Sequence, residues 1–151
     1  MMSQTAEYAL RAAVYLADRE GSPCTTAEIA EGTQVPQGYL AKVMQALSRA
    51  RVVNAQRGPN GGFTLRTPAE QLPLIDVVNA VDPVQRFHEC PLNLAHHGPN
   101  LCPLHRKLDD CALMVEQELK GTMVADLLNV PERRKPLCRF PVVLENIKPM
   151  A

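Results

Sequence analysis

Gly58-Pro59-Asn60-Gly61-Gly62 is the segment that most limits the folds open to this chain. Its glycines supply positive φ, and Pro and Asn favour tight corners. Two short β-type segments flank it, Val52-Val53 and Phe63-Thr64-Leu65, so it predicts a hairpin. Upstream the pattern is helical. Leu10, Ala13, Val14 and Ala17 recur at helical spacing over residues 4–18, and Gly21-Ser22-Pro23 breaks that run. Thr25 and Glu28 have capping-box spacing and open a second, short helix, Thr26–Gly32. Pro36 then stands where a first helical residue would, and Leu40, Val43, Met44 and Leu47 form the apolar stripe of a third helix.

Beyond the hairpin, Leu74–Val81 reads as a fourth helix closed by Asp82-Pro83. Residues 83–102 are rich in Cys, His, Pro and Asn, lack periodicity and read as a loop. Pro103–Leu119 is amphipathic, with Leu104, Leu108, Cys111 or Ala112, Val115 and Leu119 in register. Thr122 is the expected cap of a short final helix, Met123–Leu128. Residues 131–151 hold four prolines and the cluster Arg133-Arg134-Lys135, an extended or mobile tail. Three helices followed by a hairpin is the plan of a winged helix-turn-helix. The expected fold is therefore mainly α, with a small β-hairpin wing and a long additional helix.

Charge points to a partner. Val35–Arg66 contains Lys42, Arg49, Arg51, Arg57 and Arg66 and no acidic residue, although the chain has 16 residues of each sign. Residues 1–68 hold seven basic and five acidic residues, residues 69–151 nine and eleven, so the basic surface is local. A polyanion is the expected partner. In a helix-turn-helix the second helix of the pair enters the major groove with its N-terminal residues at base edges. Those residues are Gln37, Tyr39 and Lys42, with Gln45 one turn on and Arg49 beyond. Gln pairs with adenine, and Lys reaches guanine or phosphate. Arg57 at the hairpin tip suits a narrow minor groove, and Gly61-Gly62 lets backbone approach the sugar–phosphate chain. The competing reading is a solvated basic face on a helical domain that binds protein.

The N-terminus lacks a basic start followed by an apolar run, and no apolar stretch approaches the roughly 18 residues of a membrane span. A cytoplasmic location is expected, without a membrane partner. The five cysteines then read as metal ligands, reactive thiols or small core residues rather than disulfides.

Three segments resemble the Rrf-two family of bacterial repressors (the IscR, NsrR and CymR types). They are Glu7-Tyr8-Ala9-Leu10-Arg11, Val35-Pro36-x-x-Tyr39-Leu40-x-Lys42 and, above all, Arg57-Gly58-Pro59-Asn60-Gly61-Gly62-Phe63-x-Leu65. Leu74–Val81 and Thr122–Leu128 fit its usual segments as well, so the likeness covers residues 3–128. Gln34 departs from it, because the family often has glycine in that turn. The tail has no counterpart. The resemblance implies a homodimer built on the long helix, each wing domain reading half of a palindromic operator. Four regions follow: a DNA-binding domain over 1–82, a sensor loop over 83–102, the dimerisation and short C-terminal helices over 103–130, and the tail over 131–151.

Iron–sulfur members of the family carry three cysteines in the sensor loop and a histidine three residues after the last. Here Cys90 and Cys102 keep the outer spacing of twelve, His96 stands where the middle cysteine falls, and His105 is the following histidine. The resemblance therefore implies Cys90, His96, Cys102 and His105 as ligands. His97 competes with His96 for the middle position, Glu7 matches a ligand carboxylate on helix one, and Cys111 is a further, weaker candidate. Two thiolates and two imidazoles suit a two-iron, two-sulfide cluster or a tetrahedral zinc ion. Cys102 also precedes Pro103 at a helix start, which favours its thiolate. Cys24 and Cys138 have no ligand neighbours in sequence. The bland alternative is that Cys90 and Cys102 are small buried residues at loop ends and that no metal is bound.

The leading expectation is a homodimeric repressor whose DNA affinity follows the state of the loop at residues 90–105. A repressor without metal, controlled by a protein partner or small ligand, is the alternative. An enzyme built on Cys102 and a histidine lacks a third orienting group, so no catalytic residue is assigned.

Overall fold

In the computed structural model, residues 2–91, 100–130 and 136–137 are described. His96, His97, Cys138 and most of the tail fall outside them.

Helix α1, Gln4–Asp18, begins where the Ser3 hydroxyl accepts the Ala6 N–H at 3.2 Å. Its buried face is wider than the stripe read from sequence. Ala6, Ala9, Ala12, Ala13, Val14 and Leu16 are buried, while Leu10 and Ala17 only border the core. Alanines leave little side-chain bulk, so neighbouring helices come close on several sides. α2, Thr26–Thr33, packs there, and Gly32 faces the Tyr15 ring where a Cβ would collide with it. α2 opens with the predicted capping box: Thr25 Oγ1 accepts the Glu28 N–H at 3.2 Å, and Glu28 accepts the Thr25 N–H at 2.7 Å.

The turn between α2 and α3 is a Schellman motif. The Val35 N–H reaches the Ala30 carbonyl at 3.1 Å, and Gln34 sits in the left-handed region at φ 57°, ψ 33°. That conformation explains why glycine suits this position. α3, Gln37–Arg49, starts one residue later than the prolyl start suggests. Pro36 is its N-cap, and its carbonyl accepts the Tyr39 and Leu40 N–H groups at 2.9 Å each. Leu40, Val43, Met44 and Leu47 are buried, as the periodicity predicts. α3 ends in a second Schellman motif, with Arg51 at φ 61° and the Val52 N–H on Leu47 O at 2.9 Å.

The hairpin follows at once. Strand β1, Val53–Gln56, pairs antiparallel with β2, Gly62–Leu65, in the register Val53↔Leu65 to Gln56↔Gly62. The first strand thus starts after Val52 and runs further than its apolar pair. Val52 instead accepts the Arg66 N–H at 3.0 Å. A backbone bridge ties the wing to the α1–α2 link: Cys24 N–H to Phe63 O at 3.0 Å, and Phe63 N–H to Cys24 O at 2.7 Å. A Cβ on Gly62 would lie 2.6 Å from the Cys24 carbonyl oxygen, so the bridge requires glycine there.

α4, Leu74–Asn79, is shorter than its apolar run and buries Leu74, Ile75, Val77 and Val78. α5, Pro103–Gly121, buries only Leu119 among its own residues, leaving Leu104, Leu108 and Met114 exposed. A groove of about 640 Å³ runs between α5 and residues 78–87. Thr122 does not cap the final helix. Its hydroxyl donates back to Glu118 O at 3.0 Å, and the Asp126 carboxylate accepts the Met123 N–H at 2.8 Å. Val124–Leu127 is a single 3₁₀ turn. The Leu74 N–H on Thr122 O and the Val124 N–H on Leu72 O, both 2.9 Å, fasten the end of α5 beside the start of α4.

Gln34→Gly is expected to relieve the left-handed backbone and raise stability by about 0.5–1 kcal/mol, despite losing the Gln34 side-chain bond to Glu31 O at 2.7 Å. Urea unfolding at an unchanged slope measures it, and a lower midpoint contradicts the assignment.

Candidate nucleic-acid interface and sensor site

α2 and α3 with their tight turn form the helix-turn-helix, and the hairpin is its wing. Burial of Leu40, Val43, Met44 and Leu47 turns the opposite face of α3 outward. Gln37, Tyr39, Lys42, Gln45 and Arg49 are all exposed. Lys42, Gln45, Ser48 and Arg49 line one wall of an open groove of about 600 Å³, with Ala55 and Phe63 of the hairpin on the other. Arg57 is exposed at the hairpin tip beside Pro59 and Asn60. Among the described residues, the ion pairs lie elsewhere, at Glu7–Arg11, Arg86–Asp109, Arg86–Glu116, Lys107–Asp110 and Glu116–Lys120.

Three positions carry internal duties that sequence alone does not reveal. Tyr39 reaches back to α1, where its hydroxyl meets Thr5 Oγ1 at 2.5 Å and its ring meets Tyr8 edge-on at 5.4 Å. Gly61 and Gly62 are demanded by the hairpin itself: a Cβ on Gly61 would strike the Gln56 carbonyl, and one on Gly62 the Cys24 backbone.

The second site lies at the start of α5. Cys102 is the N-cap and Pro103 the first helical residue. One turn on, His105 Nδ1 lies 3.1 Å from Cys102 Sγ and 3.7 Å from Cys90 Sγ. The ligand atoms of Cys90, Cys102 and His105 all fall within 4.8 Å of one another. Cys90 is buried, and the other two are half-buried. The His105 backbone N–H, then its side chain, bring the Cys102 thiol down to about 7. The Phe87 ring tilts over His105 at 5.3 Å.

Two thiols and an imidazole supply three of the four ligands of a tetrahedral metal site. Tetrahedral zinc, with bonds of about 2.3 Å to sulfur and 2.0–2.1 Å to nitrogen, puts ligand atoms about 3.4–3.8 Å apart. Paired thiolates with an imidazole also suit an iron–sulfur centre. Among the described residues, the other candidates stand apart from this group. Glu7 holds Arg11 at 2.5 Å, and that guanidinium donates to Thr33 O at 3.1 Å. Cys111 is exposed on α5 and lines the groove there. Cys24 is buried and bonded to Ser22 O at 3.4 Å, and burial pushes its thiol up.

An ion-pair cluster beside the site is barely marked in the sequence. Arg86 grips Asp109 through two bonds of 2.7 and 2.8 Å and Glu116 through one of 3.1 Å. The Phe87 N–H adds a bond to Asp109 at 2.9 Å. The Arg86 bonds hold the Asp109 carboxyl down at about 2. The seven-residue spacing of Asp109 and Glu116 on one helix face is the one available hint.

These features define a winged helix-turn-helix regulator with a thiol-rich site outside the wing domain. The chain belongs to the Rrf2 family, whose model, described as an iron-dependent transcriptional regulator, matches residues 2–130. An HTH-type transcriptional regulator assigned in Aquifex aeolicus (strain VF5) is 31% identical over 136 residues, 88% of this chain and 94% of that one. The fold is shared with T. potens IscR at a TM-score of 0.68 and 22% identity, covering 85% of each chain. It is shared equally with CymR, the global cysteine regulator of B. subtilis, at 0.68 and 23%, covering 84% of this chain and 95% of that one. The chain is thus a DNA-binding transcriptional regulator and not an enzyme. No helix among the described residues is long and apolar enough to cross a membrane.

Cys102 is expected to react with iodoacetamide along a pH profile centred near 7, about 1–2 units below an ordinary thiol. Mass spectrometry of the modified peptide measures it, and a midpoint above 8 removes the activating role given to His105.

Proposed function

We propose that this protein is a homodimeric, cytoplasmic repressor of palindromic operators, and that the state of Cys90, Cys102 and His105 sets its affinity for DNA. The observation that carries the sensing part is the meeting of three ligand atoms within 4.8 Å, from two separate segments of the chain. The exposed Leu104, Leu108 and Met114 support pairing of α5 with a second copy. Gln37, Lys42, Gln45 and Arg49 are assigned to the major groove and Arg57 to the minor groove, while Tyr39 contributes from its anchored position. Gly61 and Gly62 shape the tip that brings Arg57 there.

A metal or iron–sulfur cluster bound at this site would add covalent-strength ties between Cys90 and the start of α5. Cys90 ends the segment that leaves α4, and Cys102 begins α5. The far end of α5 is fastened beside α4 by the Leu72–Val124 and Leu74–Thr122 bonds. A shift at Cys90 or Cys102 therefore turns α5 against its own wing domain. In a dimer that changes the spacing of the two reading heads. A coupling of about 1–3 kcal/mol alters affinity roughly 5–150-fold. The low-lying Cys102 thiol favours a thiol-state variant of the same reading, in which no metal is needed.

Purification without oxygen distinguishes the two. Visible absorbance with matching iron and sulfide, lost in Cys102→Ala, is the expected result; a colourless, metal-free protein removes the metal-sensing part. For the DNA part, Arg57→Ala is expected to weaken binding by about 1–3 kcal/mol on an operator selected from random duplexes, with the dimer intact by sedimentation. Unchanged binding would show that the tip does not enter a groove.

A further inference from the structure

We infer that Arg86, acting through Asp109 and Glu116, is a positioning residue that holds Cys90 and Phe87 against His105. The inference rests on the proposed metal reading of the site. Its ground is the way the residues share surfaces. His105, Asp109 and Glu116 follow one another at helical spacing along a single face of α5. The chain leaving α4 docks on that face at Arg86, through a bidentate grip on Asp109 and a bond to Glu116. The next residue, Phe87, gives its N–H to the same Asp109 and lays its ring over His105. Three residues further on, Cys90 brings its sulfur within 3.7 Å of His105 Nδ1. The clamp and the ligand set thus lie about one helical turn apart on shared elements.

The groups around the clamp suit the role. Both acidic partners are mostly covered, with side chains 16% and 22% exposed, and Arg86 is 24% exposed. Lys120 supports Glu116 from one turn further along α5. Asp109 remains charged at any pH where a thiolate exists, so the clamp stays closed while the site changes state. A planar guanidinium holds Asp109 in a two-bond fork while reaching Glu116, a geometry a lysine ammonium, as a point charge, does not reproduce. Among the described residues, Arg86 makes the ion pairs that anchor the segment carrying Cys90 to α5, and His88 adds a weaker charge interaction with Asp109.

The test uses the full-length protein under nitrogen with cobalt(II) alone as probe, comparing wild type, Arg86→Gln, Arg86→Lys and Asp109→Asn. Thiolate-to-cobalt absorbance reports affinity, and amide exchange of the peptide spanning 83–91 reports the clamp. Arg86→Gln and Asp109→Asn are expected to bind cobalt about 10–100-fold more weakly. The 83–91 amides should exchange faster, α-helical content should be retained, and Arg86→Lys should recover only part of the loss. Wild-type cobalt affinity in Arg86→Gln overturns the positioning role, as does unchanged 83–91 exchange. Absence of the thiolate–cobalt band in the wild type itself overturns the metal reading and, with it, this inference.

Discussion

The alanine face of α1 is the constraint from which the other contacts follow. Ala6, Ala9, Ala12 and Ala13 are fully buried, so the backbones of neighbouring helices can close on this one. Gly32 extends the same economy to α2 by admitting the Tyr15 ring. Close approach then lets Arg11 donate to the Thr33 carbonyl, at the point where α2 gives way to its turn. It also lets Thr5 meet Tyr39 at the beginning of α3. The angle of the recognition helix is therefore held from beneath, at its first turn and at the turn before it. Small residues do this better than large ones, because bulk on α1 would push α2 and α3 apart and lengthen both bonds.

Electrostatics divide the molecule into two working ends. The face of α3 and the hairpin tip present arginine, lysine and glutamine without a neighbouring carboxylate. The α5 end does the opposite and pairs its charges internally, through Arg86, Asp109, Glu116 and Lys120. Between them run the backbone bonds of the Pro73–Met123 bridge, which join the end of α5 to the start of α4. Such ties resist salt, so changes in ionic strength act on the DNA-facing surface more than on the connection between the ends.

What the sequence disclosed was local. Periodicity and capping chemistry located α1, α2 and α3 within a residue or so, because each helix carries its own start signal. Gly58–Gly62 located the hairpin, but Val52-Val53 misplaced its first strand, since polar Asn54 and Gln56 pair through backbone alone. The final helix was overdrawn because Thr122 resembled a cap while Asp126 does that work. At the sensor site, the spacing of Cys90, Cys102 and His105 was legible through family likeness. The Arg86 clamp was not, because its partners lie 23 and 30 residues away and ordinary charged residues announce no pairing. The glycines of the wing read in sequence as turn residues and as room for DNA, and the structure adds a further demand on Gly61 and Gly62 from the chain's own Gln56 and Cys24.

The bridge between Cys24 and Phe63 has an evolutionary consequence. It secures the stem of the hairpin at Gly62–Phe63, whereas Arg57, Gly58, Pro59 and Asn60 stand in solvent. Exchanging Arg57 or Asn60 alters what the wing presents without disturbing a buried contact, so such changes meet little thermodynamic resistance. The stem preserves the geometry, and at the tip Gly58, at φ 112°, is held by its backbone. Constraint on the Arg57 and Asn60 side chains must therefore come from what the wing binds, not from the fold beneath it.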